Sequence, residues 1–430
     1  MRERRPRRGV ALSWAYGHVF SHLHITDWRE RWLVGLTDWG LRLLTWPFRT
    51  AAPRRDRAGA PPKRILLLRL ERVGDLLMVL DAIATLRAAA PDARLDLVVG
   101  SWNAALARTI PNLDSVETLD VPWMARTGAG QSWPSLLGRA RRWRAEPYDL
   151  AINFESDIRS NLLLAVSGAT RRIGFFSGGG GSLLTDPVEA DRTAHVAANA
   201  ADLVARAFPT SESDSGSHRP PTTTSRLLLP EAARARAAEL LADAQDGGVL
   251  VGIQPGAGRQ LREWDPSKFG AVAAELARTR NITFVLTGSA SDIAALTAVK
   301  ATWPAGVRLL ELPLDTDLVV LAAVLERLAL LITGDTGPMH LAAAVGTPIV
   351  AIFGPSLPSR YAPLSSRARI VRIDLPCSPC NRLRQPPARC VGHVPDCLAG
   401  IEPFLVVQAA NELLNDGVGP RALRVLQPSG

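Results

Sequence analysis

The chain has few cysteines and lacks long apolar runs. Its 430 residues include four Cys, all between positions 377 and 397, so disulfides spread along the fold are excluded. We therefore expect reduced thiols and a cytoplasmic location. No stretch reaches the ~18 uncharged apolar residues of a membrane-spanning helix, and no secretory signal is evident. With 47% hydrophobic residues, the composition indicates a globular protein of about two or three domains.

Acidic residues are too few to balance the basic ones, and the excess is local. The formal net charge is +9. Residues 1–60 hold 12 Arg and 5 acidic residues, or +7, and the remaining chain holds 38 basic and 36 acidic residues, or +2. The basic excess therefore lies mostly in an N-terminal arm. No nucleic-acid partner is expected, because no recognition motif accompanies this charge.

Residues 1–62 are interpreted as a Trp/Arg-rich amphipathic arm and linker. Apolar residues recur there at steps of three or four and share one helix face, which we expect to end at Pro47: Ile25, Trp28, Trp32, Leu36, Trp39, Leu43 and Trp46. Trp and Arg together suit the headgroup layer of a bilayer. Two interpretations stay open: the helix binds a membrane surface, or it packs on the protein's own body.

From Lys63 onward, short apolar strands alternate with longer helices, which predicts an α/β fold with parallel sheets. Two such series, 63–208 and 226–430, are joined by the polar residues 209–225, a linker or loop. Strands are predicted at 64–70, 94–99, 149–154, 249–254, 282–287, 307–312, 330–333 and 348–353, and helices at 76–90, 266–278, 292–301, 317–328, 338–345 and 401–414. Ligands of such folds bind at the carboxyl ends of the strands.

The first candidate site is the segment 69–75 (RLERVGD), directly after the first predicted strand. Gly74 permits a tight turn, and Asp75 stands where the next helix begins. A carboxylate there can take a proton from an acceptor hydroxyl, or it can simply cap the helix. No G-x-G-x-x-G follows the strand, so a dehydrogenase is not indicated.

A Gly-rich turn, 254–258 (QPGAG), follows the first strand of the second series and leads to Arg262. A small residue such as Gly256 lets backbone N–H groups approach an anion, and Arg262 can supply the counter-charge for a diphosphate. An ordinary Gly/Pro turn with basic surface residues explains the same pattern.

The segment 333–340 (TGDTGPMH) passes from a strand into a helix. The free N–H groups and the positive dipole end of that helix make a phosphate site. Thr336 adds a hydroxyl donor, Gly337 removes side-chain obstruction, and Asp335 suits the orientation of a basic side chain or a sugar hydroxyl. His340 can donate to a phosphate or pack as a structural histidine. Together with the Gly-rich turn, this segment indicates a nucleotide diphosphate.

The chain resembles glycosyltransferase family 9, the bacterial ADP-heptose:lipopolysaccharide heptosyltransferases, in order over about residues 63–415. The segments that carry the resemblance are RILLLRLERVGDLLMVLDAIATLR, VGIQPGAGRQLREWDPSKF, FVLTGSASD and LITGDTGPMHLAAAVGTPIVAIFGPSLP. The resemblance implies a GT-B fold, in which two Rossmann-like domains face each other across a cleft. It also implies acceptor binding by residues 63–208 and nucleotide-sugar binding by residues 226–430.

The resemblance further implies an inverting transferase that needs no catalytic metal. The expected partners are a nucleotide-sugar donor, ADP-heptose, and a lipid-linked glycan such as lipopolysaccharide core. The expected location is the cytoplasmic side of the inner membrane, bound through residues 1–60. Two alternatives stay open: a transferase that uses another nucleotide sugar for O-antigen or capsule, and a non-catalytic membrane-bound module that binds nucleotide sugar.

Site residues follow from the same resemblance. Asp75 matches the general base that activates the acceptor hydroxyl. Arg262 stands where family members often have Lys and would neutralise the diphosphate leaving group. Asp292 falls where an acidic residue can hold the nucleotide ribose. The family's phosphate-binding segment is matched by Asp335, Thr336, Gly337 and His340. The pair Glu71-Arg72 replaces the small polar residues of the core heptosyltransferases beside the acceptor site.

The four cysteines have C-x2-C-x9-C-x6-C spacing: Cys377, Cys380, Cys390 and Cys397. Four thiolates can form a structural zinc site, and the first pair has the spacing for it. The later spacing differs from that of two C-x2-C knuckles, and reduced thiols in a Pro- and Arg-rich loop are the alternative.

Overall fold

The computed structural model describes residues 20–51, 61–124, 130–209, 226–244, 248–383, 385–415 and 424–426. Two parallel β-sheets flanked by helices make up the body, which confirms the α/β prediction. Residues 1–19 of the predicted arm and residues 210–225 of the predicted connection 209–225 lie outside the described residues. Among the described residues, no helix combines the length and apolar content needed to cross a bilayer.

The N-terminal half contains a six-stranded sheet in the order β3-β2-β1-β4-β5-β6. Its strands are β1 (Arg64–Arg69), β2 (Arg94–Val99), β3 (Ser115–Thr118), β4 (Leu150–Asn153), β5 (Arg171–Phe175) and β6 (Asp186–Val188). Central β1 pairs in parallel with β2 and β4. Its residues after Arg64 are all buried, because helices cover both faces of a parallel sheet.

The helices of this half connect or follow these strands. They are α2 (Val73–Leu77), α3 (Leu80–Ala89), α4 (Ala104–Ala107), α5 (Trp133–Arg142), α6 (Ile158–Val166) and α7 (Val196–Ala207). The single helix predicted at 76–90 is wrong. The chain turns at Met78 and Val79, where the Val79 N–H bonds to the Leu76 carbonyl three residues earlier, at 3.2 Å. This turn gives Asp75 its own short helix, α2.

The C-terminal half contains a seven-stranded sheet in the order β13-β12-β11-β10-β7-β8-β9. Its strands are β7 (Val249–Gln254), β8 (Ile282–Leu286), β9 (Arg308–Glu311), β10 (Leu330–Gly334), β11 (Ile349–Ile352), β12 (Ala368–Val371) and β13 (Arg424–Leu426). Its helices are α8 (Glu231–Leu240), α9 (Lys268–Ala277), α10 (Ile293–Ala301), α11 (Leu318–Glu326), α12 (Gly337–Val345), α13 (Pro358–Tyr361), α14 (Asp396–Ala399) and α15 (Pro403–Asn415).

The two halves share apolar contacts. One buried cluster includes Leu76 and Ala107 from the N-terminal half and Ala322 and Met339 from the C-terminal half. The Leu228 N–H also donates to the Thr109 carbonyl at 2.8 Å. The carboxyl ends of β1 and β10 therefore lie against each other through α2 and α12, which are packed together.

The arm forms a helix, α1 (Trp28–Ala51), as predicted. Its predicted end at Pro47 is wrong, because the helix continues to Ala51. Proline removes the N–H bond to the carbonyl four residues earlier and its ring crowds that carbonyl, so the further turn after Pro47 forms at a cost in free energy.

Candidate active site

Asp75 lies in the first turn of α2, directly beyond the carboxyl end of β1. Its Oδ2 accepts the Arg72 N–H at 3.3 Å, so the carboxylate satisfies a backbone donor at the start of the helix. The side chain is nevertheless 31% exposed, which leaves it open to a ligand. The bond to the helix start and a role as base are therefore compatible in this geometry.

A buried guanidinium organises the carboxylates around Asp75. Arg69 is 3% exposed, and its Nη1 lies 2.7 Å from the Glu71 carboxylate and donates to the Phe154 carbonyl at 2.6 Å. Its Nη2 lies 3.8 Å from Asp75 Oδ1, and its Nε donates to the Asp75 carbonyl at 3.1 Å. The Arg69 guanidinium thus contacts both Glu71 and Asp75 and lies between them.

The carboxyl groups near Arg69 are crowded. Burial raises the pKa of Glu71; the positive charge of Arg69 opposes this effect, and the negative charges of Asp75 and Glu155 add to it. Burial also raises the pKa of Glu155, which accepts hydrogen bonds from the Leu70 N–H and from Ser160 Oγ. Sequence reasoning missed Arg69 and Glu155. A basic residue ending a buried strand was the available signal for Arg69.

Arg262 ends a short 3-10 turn, Gln260–Arg262, after β7. Its Nη1 lies 3.2 Å from Asp335 Oδ2, and its Nη2 donates to the Ala257 carbonyl at 3.2 Å. The buried Nε has no hydrogen-bond partner among the described residues. Arg262 therefore joins the Gly-rich turn to the segment after β10 and keeps one N–H for another acceptor.

The predicted phosphate segment is a helix start. Gly337 begins α12, and the Thr336 side chain makes no capping hydrogen bond to the described first turn; its Oγ1 lies 3.2 Å from Thr333 Oγ1 instead. Asp335 and Thr336 are both buried. The first-turn N–H groups and the positive end of the helix dipole are thus left for an anion.

His340 is buried in α12 and packs across the interface between the halves. A Cβ atom added to Gly74 would lie 2.8 Å from His340 Cδ2, so the imidazole rests on the backbone of α2. Burial lowers the pKa of His340 to about 4, although the negative charges of Asp335 and Asp75 oppose this effect. His340 is therefore neutral near pH 7 and adds no positive charge to the site.

Gly256 and Asp292 are brought together. A Cβ on Gly256 would lie 2.2 Å from Asp292 Oδ1, so only glycine fits beside this carboxylate. Asp292 Oδ2 accepts the Ser289 N–H at 2.9 Å and the Ser289 hydroxyl at 2.8 Å. One oxygen is thus used to hold the loop, and the other faces the Gly-rich turn.

The four cysteines line one cavity together with Leu261 and Arg382. All four are free thiols, and burial raises the pKa of Cys397 to about 11. Across the described part of the chain, no three His, Cys, Asp or Glu side chains are grouped so that they could hold a metal ion. The structural zinc site stays a prediction.

Known proteins are similar to this chain in both sequence and fold. Residues 138–389 match the model of a family described as glycosyltransferase family 9 (heptosyltransferase). Lipooligosaccharide heptosyltransferase 2 of Campylobacter jejuni is 28% identical over 174 residues, or 40% of this chain and 53% of that protein, so this match spans about half of the relative. Lipopolysaccharide heptosyltransferase 2 of Salmonella typhimurium is 26% identical over 327 residues, or 72% of this chain and 88% of that protein.

Among solved structures, E. coli ADP-heptose LPS heptosyltransferase II is similar, with a TM-score of 0.67 at 22% identity over 82% of this chain and 98% of that chain. This likeness, together with the two parallel sheets, confirms the predicted GT-B fold of two Rossmann-like domains.

Proposed function

Because the chain belongs to glycosyltransferase family 9, it is a glycosyltransferase, and we propose that it transfers heptose from ADP-heptose to a lipid-linked glycan such as lipopolysaccharide core. The single observation that supports this most is the contact between Gly74 and His340. It brings the candidate base Asp75, from one half, to the start of α12, the proposed anion site, from the other. The names of the two relatives described above support the choice of heptose and of a lipopolysaccharide acceptor.

The proposed reaction is one inverting displacement that uses no catalytic metal. Asp75 takes the proton of an acceptor hydroxyl as its oxygen attacks the anomeric carbon of the donor sugar. The bond from that carbon to the diphosphate oxygen breaks on the opposite face, and ADP leaves with the electron pair. The Arg262 guanidinium, on a side chain that is 24% exposed, and the first-turn N–H groups of α12 stabilise the departing charge.

The remaining residues have proposed roles in holding the donor. Asp292 would bind the ribose, because it lies against Gly256 at the carboxyl edge of the second sheet. Asp335 would hold Arg262 in place, and Thr336, Gly337 and His340 would surround a phosphate. In this proposal, residues 63–208 bind the acceptor and residues 226–430 bind the donor.

A second candidate is transfer from another nucleotide sugar to an O-antigen or capsule acceptor. The observation that favours it is the Glu71-Arg72 pair beside Asp75. The Glu71 side chain is 30% exposed, and its carboxylate would select acceptor hydroxyls. A non-catalytic module is disfavoured, because membership of the family supports an enzyme.

The test is a panel of nucleotide-sugar donors with purified full-length protein and extracted lipopolysaccharide, in which acceptor-dependent release of the corresponding nucleotide is measured. We expect release from ADP-heptose and at least a ~100-fold lower rate for Asp75→Asn, the low end for loss of a general base. Asp92→Asn, at an exposed turn before β2, is the matched control and should keep the wild-type rate. No nucleotide release from any donor would contradict transfer, and near-wild-type transfer by Asp75→Asn would contradict its role as base.

A further inference from the structure

The outer face of α1 is an unusually apolar surface. Seven large side chains on this helix are each more than half exposed: Trp28, Leu33, Leu36, Trp39, Leu43, Leu44 and Trp46. Elsewhere in the described residues, exposed large apolar side chains lie on separate elements, such as Leu228 and Phe404. A continuous apolar face of this kind marks an interaction site rather than ordinary surface.

The opposite face of α1 is fixed to the body. Asp38 is 3% exposed, and its Oδ1 accepts the Gly180 N–H at 2.8 Å. Val34, one turn earlier, packs against Gly179, where an added Cβ would lie 2.7 Å from Val34 Cγ1. At about 100° per residue, Val34 and Asp38 each lie about 160° from Leu36, whereas Trp39 lies on the flank, about 140° from Val34 and about 100° from Asp38. The helix is therefore held by a narrow seam at Val34 and Asp38, and the side opposite this seam points away from the described body.

The seam also fixes where α1 is attached. The loop that carries Gly179 and Gly180 follows β5, and Asp75 follows β1. Because β4 alone separates these two strands, their carboxyl ends are about 10 Å apart along one sheet edge. Helix α1 is thus attached to the same sheet edge that carries the candidate base.

Charge indicates which partner binds this apolar face, a second copy of the chain or a membrane. The arm, residues 1–60, carries a net charge of +7. Arg29 is exposed, and the Arg42 side chain, which is paired with Asp38 at 3.1 Å, is still 51% exposed beside the apolar face. A second copy of the chain would bring two such arms together and be repelled, whereas anionic headgroups would attract them. Tryptophan and arginine beside acyl chains are typical of helices that lie in the plane of a bilayer.

We infer that the outer face of α1 binds the surface of an anionic phospholipid bilayer, and that the Asp38–Gly180 contact orients the Asp75 edge toward that surface. The lipid binding does not depend on what the enzyme transfers. The use of this orientation to reach a lipid-linked acceptor rests on the proposed function.

Lipid binding is tested with the full chain and vesicles of phosphatidylglycerol and phosphatidylethanolamine, with phosphatidylcholine vesicles for comparison, by co-sedimentation. We expect binding to the anionic vesicles, weakening as salt rises. The double variant Leu36→Gln/Trp39→Gln should bind at least tenfold more weakly, and Phe404→Gln, a control of equal exposure on α15, should bind like wild type. Wild type that stays in the supernatant, or a double variant that binds like wild type, overturns the inference. So does a stable dimer that persists in the presence of the vesicles.

Orientation is tested with Asp38→Ala, which removes the Asp38–Gly180 hydrogen bond and the ion pair with Arg42 and leaves the apolar face intact. We expect it to bind anionic vesicles at least as tightly as wild type, because it loses a negative charge, and to transfer to a delipidated, water-soluble glycan like wild type. Transfer to the same glycan carried by vesicle-embedded lipid should fall about tenfold. Equal transfer to both acceptors overturns the orienting role. If wild type transfers to neither acceptor, the proposed function fails while the sedimentation result still decides lipid binding.

Discussion

The backbone of Gly74 and the ring of His340 are in contact, although they belong to different halves of the chain. A Cβ on Gly74 would approach His340 Cδ2 to 2.8 Å. Gly74 directly precedes Asp75, and His340 lies one turn inside α12, whose start is the proposed phosphate site. In the proposed reaction, the distance between the base Asp75 and the diphosphate leaving group is therefore set by how closely α2 and α12 pack.

Gly74→Ala tests this packing. Alanine favours a helix over glycine by about 1 kcal/mol, so any loss comes from the clash with His340 rather than from helix propensity. We expect a loss of about 1–3 kcal/mol in the free energy of unfolding, typical of overpacking, and at least tenfold lower kcat. Thermal unfolding and ADP release measure these quantities. Gly138→Ala, in α5 with no heavy atom within 4 Å of the added Cβ, should be neutral or stabilising. An active, fully stable Gly74→Ala protein would show that the helices separate without cost.

Arg69→Met tests the shared cation. Removing it leaves Glu71 and Asp75 without their common positive charge, at 2.7 and 3.8 Å in wild type. We expect the free energy of unfolding to fall by about 3 kcal/mol, the low end for breaking a buried pair, because both carboxylates are partly exposed. The pKa of Glu71 should rise further, because Arg69 carries the positive charge that opposes the effect of burial, and any limb of the pH profile of kcat/KM that depends on Glu71 should move to higher pH. Arg69→Lys, which keeps the charge, should restore most of the profile. An unchanged profile in Arg69→Met would limit Arg69 to a structural role.

The sequence predicts the bounds of the buried inner strands well, but it misses short strands at the sheet edges, such as β3 and β6. The bounds of β2 and β7 were predicted to the residue, because each is a short, mostly apolar run that a parallel sheet buries on both faces. Short or partly exposed strands such as β3 and β6 carry no such run, and only pairing with their neighbours stabilises them. Asp75 was found because it follows a buried strand. The Gly74–His340 contact was not, since it depends on how two separate sheets pack together.

The resemblance named candidate residues that the structure brings close to one another, such as Arg262 and Asp335, but not their other partners. Arg262 was expected to face a diphosphate, and the structure adds that Asp335 and the Ala257 carbonyl hold two of its nitrogens. The same holds for the arm. Its apolar face can be predicted from the sequence, but the contact of Asp38 cannot, because its partner Gly180 lies far away in the chain.

Arg262→Ala should remove much of the leaving-group stabilisation. We expect kcat/KM for the donor to fall about 100- to 1000-fold, the range for loss of one donor to a developing charge. The fall in kcat/KM should be smaller for Arg262→Lys, because lysine keeps the positive charge. Some loss should remain, because lysine lacks the planar guanidinium that reaches Asp335 and the Ala257 carbonyl together. Steady-state kinetics with varied donor measure both. Arg236→Ala, at an exposed ion pair with Glu239, should behave as wild type. Equal losses in Arg262→Ala and Arg236→Ala would contradict a specific role.

His340 should make the fold sensitive to acid. Burial lowers its pKa from 6.5 to about 4, so the unfolded chain binds more protons than the folded one between these values. Stability is therefore complete above about pH 6.5 and is lost as the pH falls toward 4, by at most about 3 kcal/mol for this group. Urea unfolding of wild type at pH 7.5 and 4.5 should show this loss, and His340→Gln, which cannot titrate, should lose less over the same interval. His393→Gln, at an exposed position, should keep the wild-type pH dependence. If His340→Gln retains the full acid loss, the loss comes from other groups, and His340 is not titrating in this window.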